Sequence, residues 1–338
     1  MKKIFRKWMC LLLGICMVSG CSEKTQDRTF IAYTVYPIGY LLNVIGGVNL
    51  PIISIQDEDS LVQEATLVQD YKNILSISQA FFHIGNLEPY MNIINEDISV
   101  SGTSEQDLSA MNTVYDFGRY TATMFNGEVT YIKSEYYDDP VMDTIDVDEK
   151  DLYLWNDPIT MLSMGKDICA YLSEVYPEQQ ELYEANLDSL ENDLINLDAQ
   201  FQVLASKIRN DSITISFVSM TPSFGCWQRD YGFEVYPIVL SKFGVLPTDE
   251  QLSVMERTIM KEGVEYIVHE ENLSEEMEAL YQRVKNDLNL KEISLYNLSS
   301  LSEESRNSGM DYLTAMYANL NTIEELYETL KGAEVSDE

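Results

Sequence analysis

The sequence has 338 residues, with 22 Lys and Arg against 56 Asp and Glu and a formal net charge of −34. So acidic a surface repels nucleic acid phosphates and anionic lipid headgroups, which argues against a nucleic acid partner. The length is sufficient for two compact lobes.

The N-terminus has the pattern of a secretory signal. A basic cluster at 2–7 is followed by an apolar run at 10–18 and two small residues before Cys21. The run is about half of the ~20 residues that cross a bilayer. The segment ending in Cys21 resembles a lipobox, so we expect 1–20 to be removed and 21–28 to form a lipidated tether. The alternative is an ordinary signal peptide with a coincidental cysteine.

The remaining chain should therefore work outside the cytoplasm, lipid-anchored to the bacterial cell membrane through Cys21. Every later apolar run is broken by charge or proline well before ~18 residues. Besides Cys21, only Cys169 and Cys226 remain in the mature chain. They could form one disulfide or stay as two buried thiols, and the sequence leaves both open.

Strand-like and helix-like segments alternate along the chain, which predicts parallel sheets flanked by helices. The first candidate strand is 30–36, broken by Pro37, and a helix-like segment at 38–45 ends at Gly46 and Gly47. Two similar halves emerge. The other candidate strands are 51–55, 80–84 and 129–132 in the first half and 213–218, 234–238, 264–268 and 291–295 in the second.

One long amphipathic helix lies between the halves. Apolar residues recur at three- and four-residue spacing from Leu187 to Ile208, Pro177 suits the first turn, and Asn210 and Asp211 end the segment. About 30 residues give a helix of roughly 45 Å. A coiled coil is the alternative, but the surrounding alternation favours a rigid helix joining two lobes. The predicted α/β organisation is an N-terminal lobe at 29–177, a linking helix at 178–209 and a C-terminal lobe at 210–338.

Short motifs along the mature chain resemble, in order and spacing, the solute-binding lipoproteins of zinc and manganese ABC importers. The resemblance covers about 29–330. It implies two lobes, each with a small parallel sheet, joined by one rigid helix and holding a metal ion between them. It also implies a monomer that passes its ligand to an ABC permease. The matching motifs are Thr34–Pro37, Gly85–Glu88, Leu154–Pro158, Tyr183–Asn186, Phe224–Gly225, Tyr231–Gly232, Leu246–Thr248, Gln251–Leu252, Tyr312, Met316 and Asn319–Leu320.

The resemblance also assigns four positions to the metal site. Asp59 and Tyr153 stand where family members usually have the first and second histidine ligands. Thr221 stands where the third ligand, a histidine or glutamate, is usual. Glu270 is the one family ligand that this sequence retains at its position.

The chain has two histidines, and neither matches a ligand position. His269 directly precedes Glu270 on a predicted strand, so the two side chains should point to opposite faces. His83 ends a predicted buried strand, where a hydrogen-bonded structural histidine is more common than a ligand.

Three interpretations of the cleft follow. Asp59, Glu270 and Tyr153 could form an oxygen-only site for a hard cation such as calcium, magnesium, manganese or ferric iron, whereas the family suggests zinc or manganese. Alternatively, the cleft holds a non-metal solute against Trp155, Tyr153 and Trp227. In the third interpretation the protein is a scaffold or adhesin-like surface protein without a ligand.

An acidic segment at 138–151 precedes the second ligand position. It has many carboxylates and no histidine, so it could collect hard cations weakly. It lacks the turn glycine and terminal glutamate of a calcium-binding hand, and a solvated acidic loop is the more usual interpretation.

The sequence does not predict an enzyme. It contains no Gly-rich phosphate loop, no nucleophile elbow and no zinc-protease helix motif. Histidine-dependent catalysis would have to use His83 or His269, and the spacing supports neither.

Overall fold

A computed structural model describes residues 28–125, 128–134 and 136–337. The predicted signal segment and the predicted lipidation site Cys21 lie outside these residues. Among the helices in the described ranges, none combines the length and apolar character needed to cross a membrane.

The N-terminal lobe is built on a parallel four-stranded sheet with the order β2-β1-β3-β4. β1 and β3 lie in its centre, and their side chains are almost completely buried on both faces, as expected for a covered parallel sheet. Helices follow the strands in alternation. The elements are β1 (Phe30–Tyr33), α1 (Tyr36–Gly46), β2 (Ile52–Ser54), α2 (Tyr71–Ile77), β3 (Ser78–His83), α3 (Met91–Ser101), β4 (Ser104–Asp107) and α4 (Leu108–Met111).

An antiparallel hairpin separates this sheet from the linking helices. Its strands are β5 (Arg119–Phe125) and β6 (Glu128–Ser134). The predicted strand at 129–132 therefore exists, but it pairs with β5 and joins neither parallel sheet. The segment that includes the hairpin packs on the second half of the chain, where the Tyr137 hydroxyl donates to the Pro237 carbonyl (3.0 Å).

The predicted long helix is confirmed. α5 (Pro158–Val175) and a 3₁₀ turn at Pro177–Gln179 lead into α6 (Gln180–Asn210), which has 31 residues. The buried stripe of α6 packs on α5 and α1 of the same chain, not on a coiled-coil partner. One apolar core takes side chains from both halves, including Ile31 and Phe217.

The C-terminal lobe repeats the parallel architecture with the strand order β10-β9-β7-β8. The two-lobed α/β class predicted from the sequence is confirmed. The elements of the C-terminal lobe are β7 (Ser216–Ser219), α7 (Gly225–Asp230), β8 (Glu234–Pro237), α8 (Asp249–Lys261), β9 (Tyr266–His269), α9 (Glu275–Asp287), β10 (Lys291–Ser294), α10 (Glu303–Asn307) and α11 (Tyr312–Asp337).

The two cysteines of the described chain are buried free thiols. Cys169 lies on α5 and Cys226 on α7, so the disulfide that the sequence left open does not form. Burial raises the pKa of the Cys226 thiol well above its ordinary value, which keeps this thiol protonated and unreactive.

Candidate ligand site between the lobes

The strand order reverses at the same position in each lobe. In the first sheet β1 lies between β2 and β3, and in the second β7 lies between β8 and β9. The chain therefore leaves neighbouring strands in opposite directions, and open α/β sheets bind ligands at the carboxyl ends of such strand pairs. Thr34 and Glu88 follow β1 and β3, and Thr221 and Glu270 follow β7 and β9.

Glu270 is completely buried and accepts four hydrogen bonds. The backbone amides of Met220 and Thr221 donate to its Oε1 at 2.7 and 2.9 Å. The Thr221 hydroxyl and the Asn297 amide donate to Oε2 at 2.6 and 2.8 Å. A carboxylate has about four acceptor positions, so these donors occupy all of them.

This network controls what Glu270 can bind. Burial raises its pKa, while Thr221, Asn297 and the backbone amides counteract part of that effect. A cation that reaches Glu270 must displace one of the donors. The Thr221 hydroxyl is the donor that can rotate away, because Ser223 Oγ lies 2.7 Å from it as a second partner.

Tyr153 is buried between acidic groups of both lobes. Burial raises its pKa well above the ordinary value, and Asp148, Asp151, Glu270 and Glu88 add to this effect. The phenol therefore stays neutral. A neutral hydroxyl oxygen is a much weaker cation ligand than a phenolate, so Tyr153 alone does not replace an imidazole.

Asp59 does not join the other three predicted ligands. It is exposed and forms an ion pair with Arg306 of α10 in the C-terminal lobe. The neighbouring Glu58 accepts a hydrogen bond from the Tyr33 hydroxyl. The structure thus brings Thr221 into contact with Glu270, places Tyr153 in the electric field of Glu270, and pairs Asp59 with a guanidinium.

The residues present do not fit zinc. Zinc sites in proteins use imidazole nitrogen or thiolate sulfur, sometimes together with carboxylates. The four predicted ligands offer only oxygen. Within the described ranges, no three Asp, Glu, His or Cys side chains converge as a metal site would require.

Both histidines have hydrogen-bond partners within the protein, which the sequence predicted for His83 only. His83 is buried, and its ring nitrogens contact the Gly85 carbonyl (2.9 Å) and the Glu105 carboxylate (3.1 Å). His269, the last residue of β9, contacts the Glu278 carboxylate at 3.2 Å.

The prediction that two tryptophans line a solute cleft is wrong. Trp155 and Trp227 are completely buried in the core. Their indole nitrogens donate to the backbone carbonyls of Asn297 (2.9 Å) and Asn156 (3.0 Å) respectively. Both rings therefore tie the middle segment to the C-terminal lobe.

The acidic segment at 138–151 is only partly solvated. Its first part forms a 3₁₀ turn at Pro140–Thr144, which Asp139 caps through the Val141 amide (3.0 Å). Asp151, at its end, is buried and accepts from the Tyr153 amide (3.2 Å). Burial raises the pKa of Asp151 to about 6.

Sequence reasoning missed three residues that shape this site: Glu88, Asn297 and Arg306. Glu88 was visible as the last residue of the Gly85–Glu88 motif, although the motif alone assigns it no role. Asn297 and Arg306 come from distant parts of the chain, and no local pattern connects them to Glu270 or Asp59.

Two parallel-sheet lobes, a long rigid helix and a polar site at facing strand ends define a solute-binding protein of a transport system. The family described as "ZnuA: Zinc-uptake complex component A periplasmic" matches residues 31–326. The chain belongs to this family, which confirms the resemblance found in the sequence. Family members are solute-binding proteins of transporters and not enzymes, as the sequence predicted.

The share of a relative's length that this chain covers differs between relatives. The "Zinc-binding protein AdcA" of Streptococcus pyogenes serotype M3 is 29% identical over 192 residues, which are 56% of this chain and 35% of that protein. This chain thus covers about a third of that relative. The "High-affinity zinc uptake system protein ZnuA" of Bacillus subtilis (strain 168) is 21% identical over 95% of this chain and 98% of its own.

A solved structure agrees with the fold. The Zn(II)-bound ZnuA-like domain of Streptococcus pneumoniae AdcA superposes with a TM-score of 0.65 at 19% identity, covering 90% of this chain and 99% of that domain. At this identity the match establishes the two-lobed architecture and leaves the ligand to be argued from this chain's own residues.

Proposed function

We propose that this protein is the extracytoplasmic solute-binding component of an ABC importer, anchored by lipid on Cys21, and that it binds a divalent cation in the cleft between its lobes. One observation carries the proposal: Glu270, a completely buried carboxylate, lies at the strand pair where this fold binds ligands. Relatives named as zinc-binding and zinc-uptake proteins support a divalent cation and a permease partner.

The oxygen-only ligands select the cation. Calcium, magnesium and manganese accept carboxylate, hydroxyl and water oxygens, whereas zinc gains most from nitrogen and sulfur. Asp59, Tyr153, Thr221 and Glu270 offer only oxygen. A preference for manganese or calcium over zinc is therefore the specific form of the proposal.

A second candidate is a non-metal solute in the same cleft. It is favoured because both predicted carboxylate ligands already have partners within the protein. All four acceptor positions of Glu270 are occupied, and Asp59 is paired with Arg306. A cation must compete with both arrangements, whereas a solute bound elsewhere in the cleft need not.

Elemental analysis separates the two candidates. The chelator-stripped protein is equilibrated with zinc, manganese, iron and calcium, desalted and analysed, and each metal is tested in thermal melts. We expect near-stoichiometric manganese or calcium, with a stabilisation of about 2.7 kcal/mol at a hundredfold excess over the dissociation constant.

Two variants control this experiment. Glu270→Gln should lower the retained cation because it removes negative charge from the cleft, whereas Glu276→Gln, at an exposed position of α9, should not. If no cation is retained and no melt shifts, the protein binds a non-metal solute or none.

A further inference from the structure

The residues at the predicted ligand site are closed off from solvent. Tyr153, Thr221 and Glu270 are each at most 3% exposed. A ligand can therefore reach them only if part of the protein moves. The core that both halves share and the 31-residue helix α6 oppose separation of whole lobes, so a smaller element should move.

One loop of the N-terminal lobe extends across to the C-terminal lobe. We call this loop, residues 57–66, the strap. Its two ends are joined on the N-terminal lobe, where Gln56 and Leu67 form an antiparallel bridge and the Asp57 amide donates to the Thr66 carbonyl (3.0 Å). Compact surface loops with joined ends are frequently functional, and such a loop can move while its ends stay in place.

An apolar side chain anchors the tip of the strap in the C-terminal lobe. Leu61 is completely buried and belongs to the apolar cluster of that lobe, together with Val218 and Met220. Met220 is also the residue whose backbone amide donates to the Glu270 carboxylate (2.7 Å). The strap therefore packs into the same cluster as the segment that forms the ligand site.

Two further contacts join the strap to the C-terminal lobe, and both are weak. Asp59 pairs with Arg306 at an exposed position, where an ion pair contributes little. Gln63 packs against Gly244, and its buried Nε2 has no hydrogen-bond partner among the described residues. The closed strap thus leaves one polar group uncompensated, which lowers the cost of opening. Leu61 is the main anchor.

We propose that the strap is a gate over the ligand site, which opens when Leu61 leaves the C-terminal lobe and closes over the bound ligand. The inference rests on the proposed function, which supplies a ligand in the cleft. It gives Asp59 the role of a closing contact with Arg306 instead of a ligand.

Hydrogen exchange tests the gate without any ligand. In Leu61→Ala, the amides of the strap and of Met220 and Thr221 should exchange at least tenfold faster than in the wild type, because the anchoring side chain is shortened. Leu75→Ala, equally buried on α2 within the N-terminal lobe, is the matched control and should not selectively accelerate these amides. Faster exchange in the strap alone, or in neither segment, would overturn the inference.

The ion pair gives a milder variant that keeps the core intact. Asp59→Asn should accelerate exchange in the same two segments, but less than Leu61→Ala does. The difference from the wild type should disappear at about 1 M salt, which screens an exposed ion pair. Lys72→Gln, which breaks an exposed pair with Asp97 inside the N-terminal lobe, should leave both segments unchanged.

A reversible cross-link tests whether the strap controls entry. A Cβ atom at Gly244 would lie 3.4 Å from the Gln63 Cβ, close to the ~3.5–4.5 Å of a disulfide, although the φ of +66° at Gly244 strains a cysteine there. Oxidised Gln63→Cys/Gly244→Cys, with the cross-link confirmed by mass spectrometry, should take up manganese at least tenfold more slowly than its reduced form. Stopped-flow mixing with an indicator dye measures the rate, and neither single variant should respond to the reductant.

The outcomes separate the gate from the proposed function. Equal uptake rates in the cross-linked and reduced forms would overturn the gate and leave the cation-binding function standing. If the wild type takes up neither manganese nor calcium, the cation-binding function fails, and hydrogen exchange in Leu61→Ala and Asp59→Asn decides whether the strap covers the site.

Discussion

Glu88 and Glu270 are both buried carboxylates, but they differ in their hydrogen bonding. Both lack solvent contact, but Glu270 accepts four hydrogen bonds, whereas neither carboxylate oxygen of Glu88 has a partner with hydrogen-bond geometry among the described residues. Burial raises the pKa of Glu88 from 4.5 to about 7. Ionisation of Glu88 therefore opposes folding.

This pKa predicts a pH-dependent effect of Glu88→Gln. The unfolded chain ionises Glu88 near pH 4.5 and the folded chain near pH 7, so the wild type loses stability as pH rises between these values. The full penalty, about 3 kcal/mol, applies above pH 7. Urea unfolding in the presence of a chelator measures this effect. The free energy of unfolding of Glu88→Gln should increase relative to that of the wild type between pH 5 and pH 8. An equal difference at both pH values would show that Glu88 ionises normally.

The sequence predicted the position of Glu270 but not its hydrogen-bond partners. Its position follows from the resemblance and from the strand that precedes it. The donors that occupy it come from two separate segments, Met220–Thr221 and Asn297, and no local sequence pattern connects these segments to Glu270. The same limit applies to Asp59, whose partner Arg306 lies 247 residues away in the chain.

Elements with strong apolar patterns were predictable, and polar ones were not. The period of α6 and the apolar runs of β1 and β3 match their burial. β4, Ser-Glu-Gln-Asp, has no apolar residue, because it is an edge strand held by backbone pairing with β3. The run at 129–132 has strand propensity, but sequence alone does not decide that it pairs in a hairpin.

The capping box of α8 gives a prediction for one element. The Thr248 hydroxyl accepts from the Gln251 amide (3.3 Å), and Gln251 Oε1 accepts from the Thr248 amide (2.8 Å). Thr248→Ala should lower the free energy of unfolding by about 1 kcal/mol in urea titrations. Thr258→Ala, inside the same helix, should be close to neutral because alanine is the better helix former. Equal losses in both variants would contradict a specific capping effect.

At the scale of the whole molecule, the lobes are connected by more than the linking helix. Gln251 also donates to the Val141 carbonyl (3.1 Å), so α8 holds the 3₁₀ turn of the acidic segment. Trp155 and the Tyr312 hydroxyl tie the middle segment to the end of the chain. These contacts and the shared core favour a small change of cleft width on binding over a wide hinge motion.

The proposed lipid anchor would hold the protein at the outer face of the membrane. A diacylglyceryl group supplies two acyl chains, which is the number that stable membrane attachment needs. In a bacterium that processes lipoproteins, Cys21→Ser should move the protein from the membrane fraction to the soluble fraction, and mass spectrometry should show the lipid on the wild-type Cys21 only. Cys16→Ser, within the predicted signal segment, should leave the attachment unchanged. Membrane association that persists in Cys21→Ser would contradict the anchor and require another contact, which a surface as acidic as this one makes unfavourable with anionic lipids.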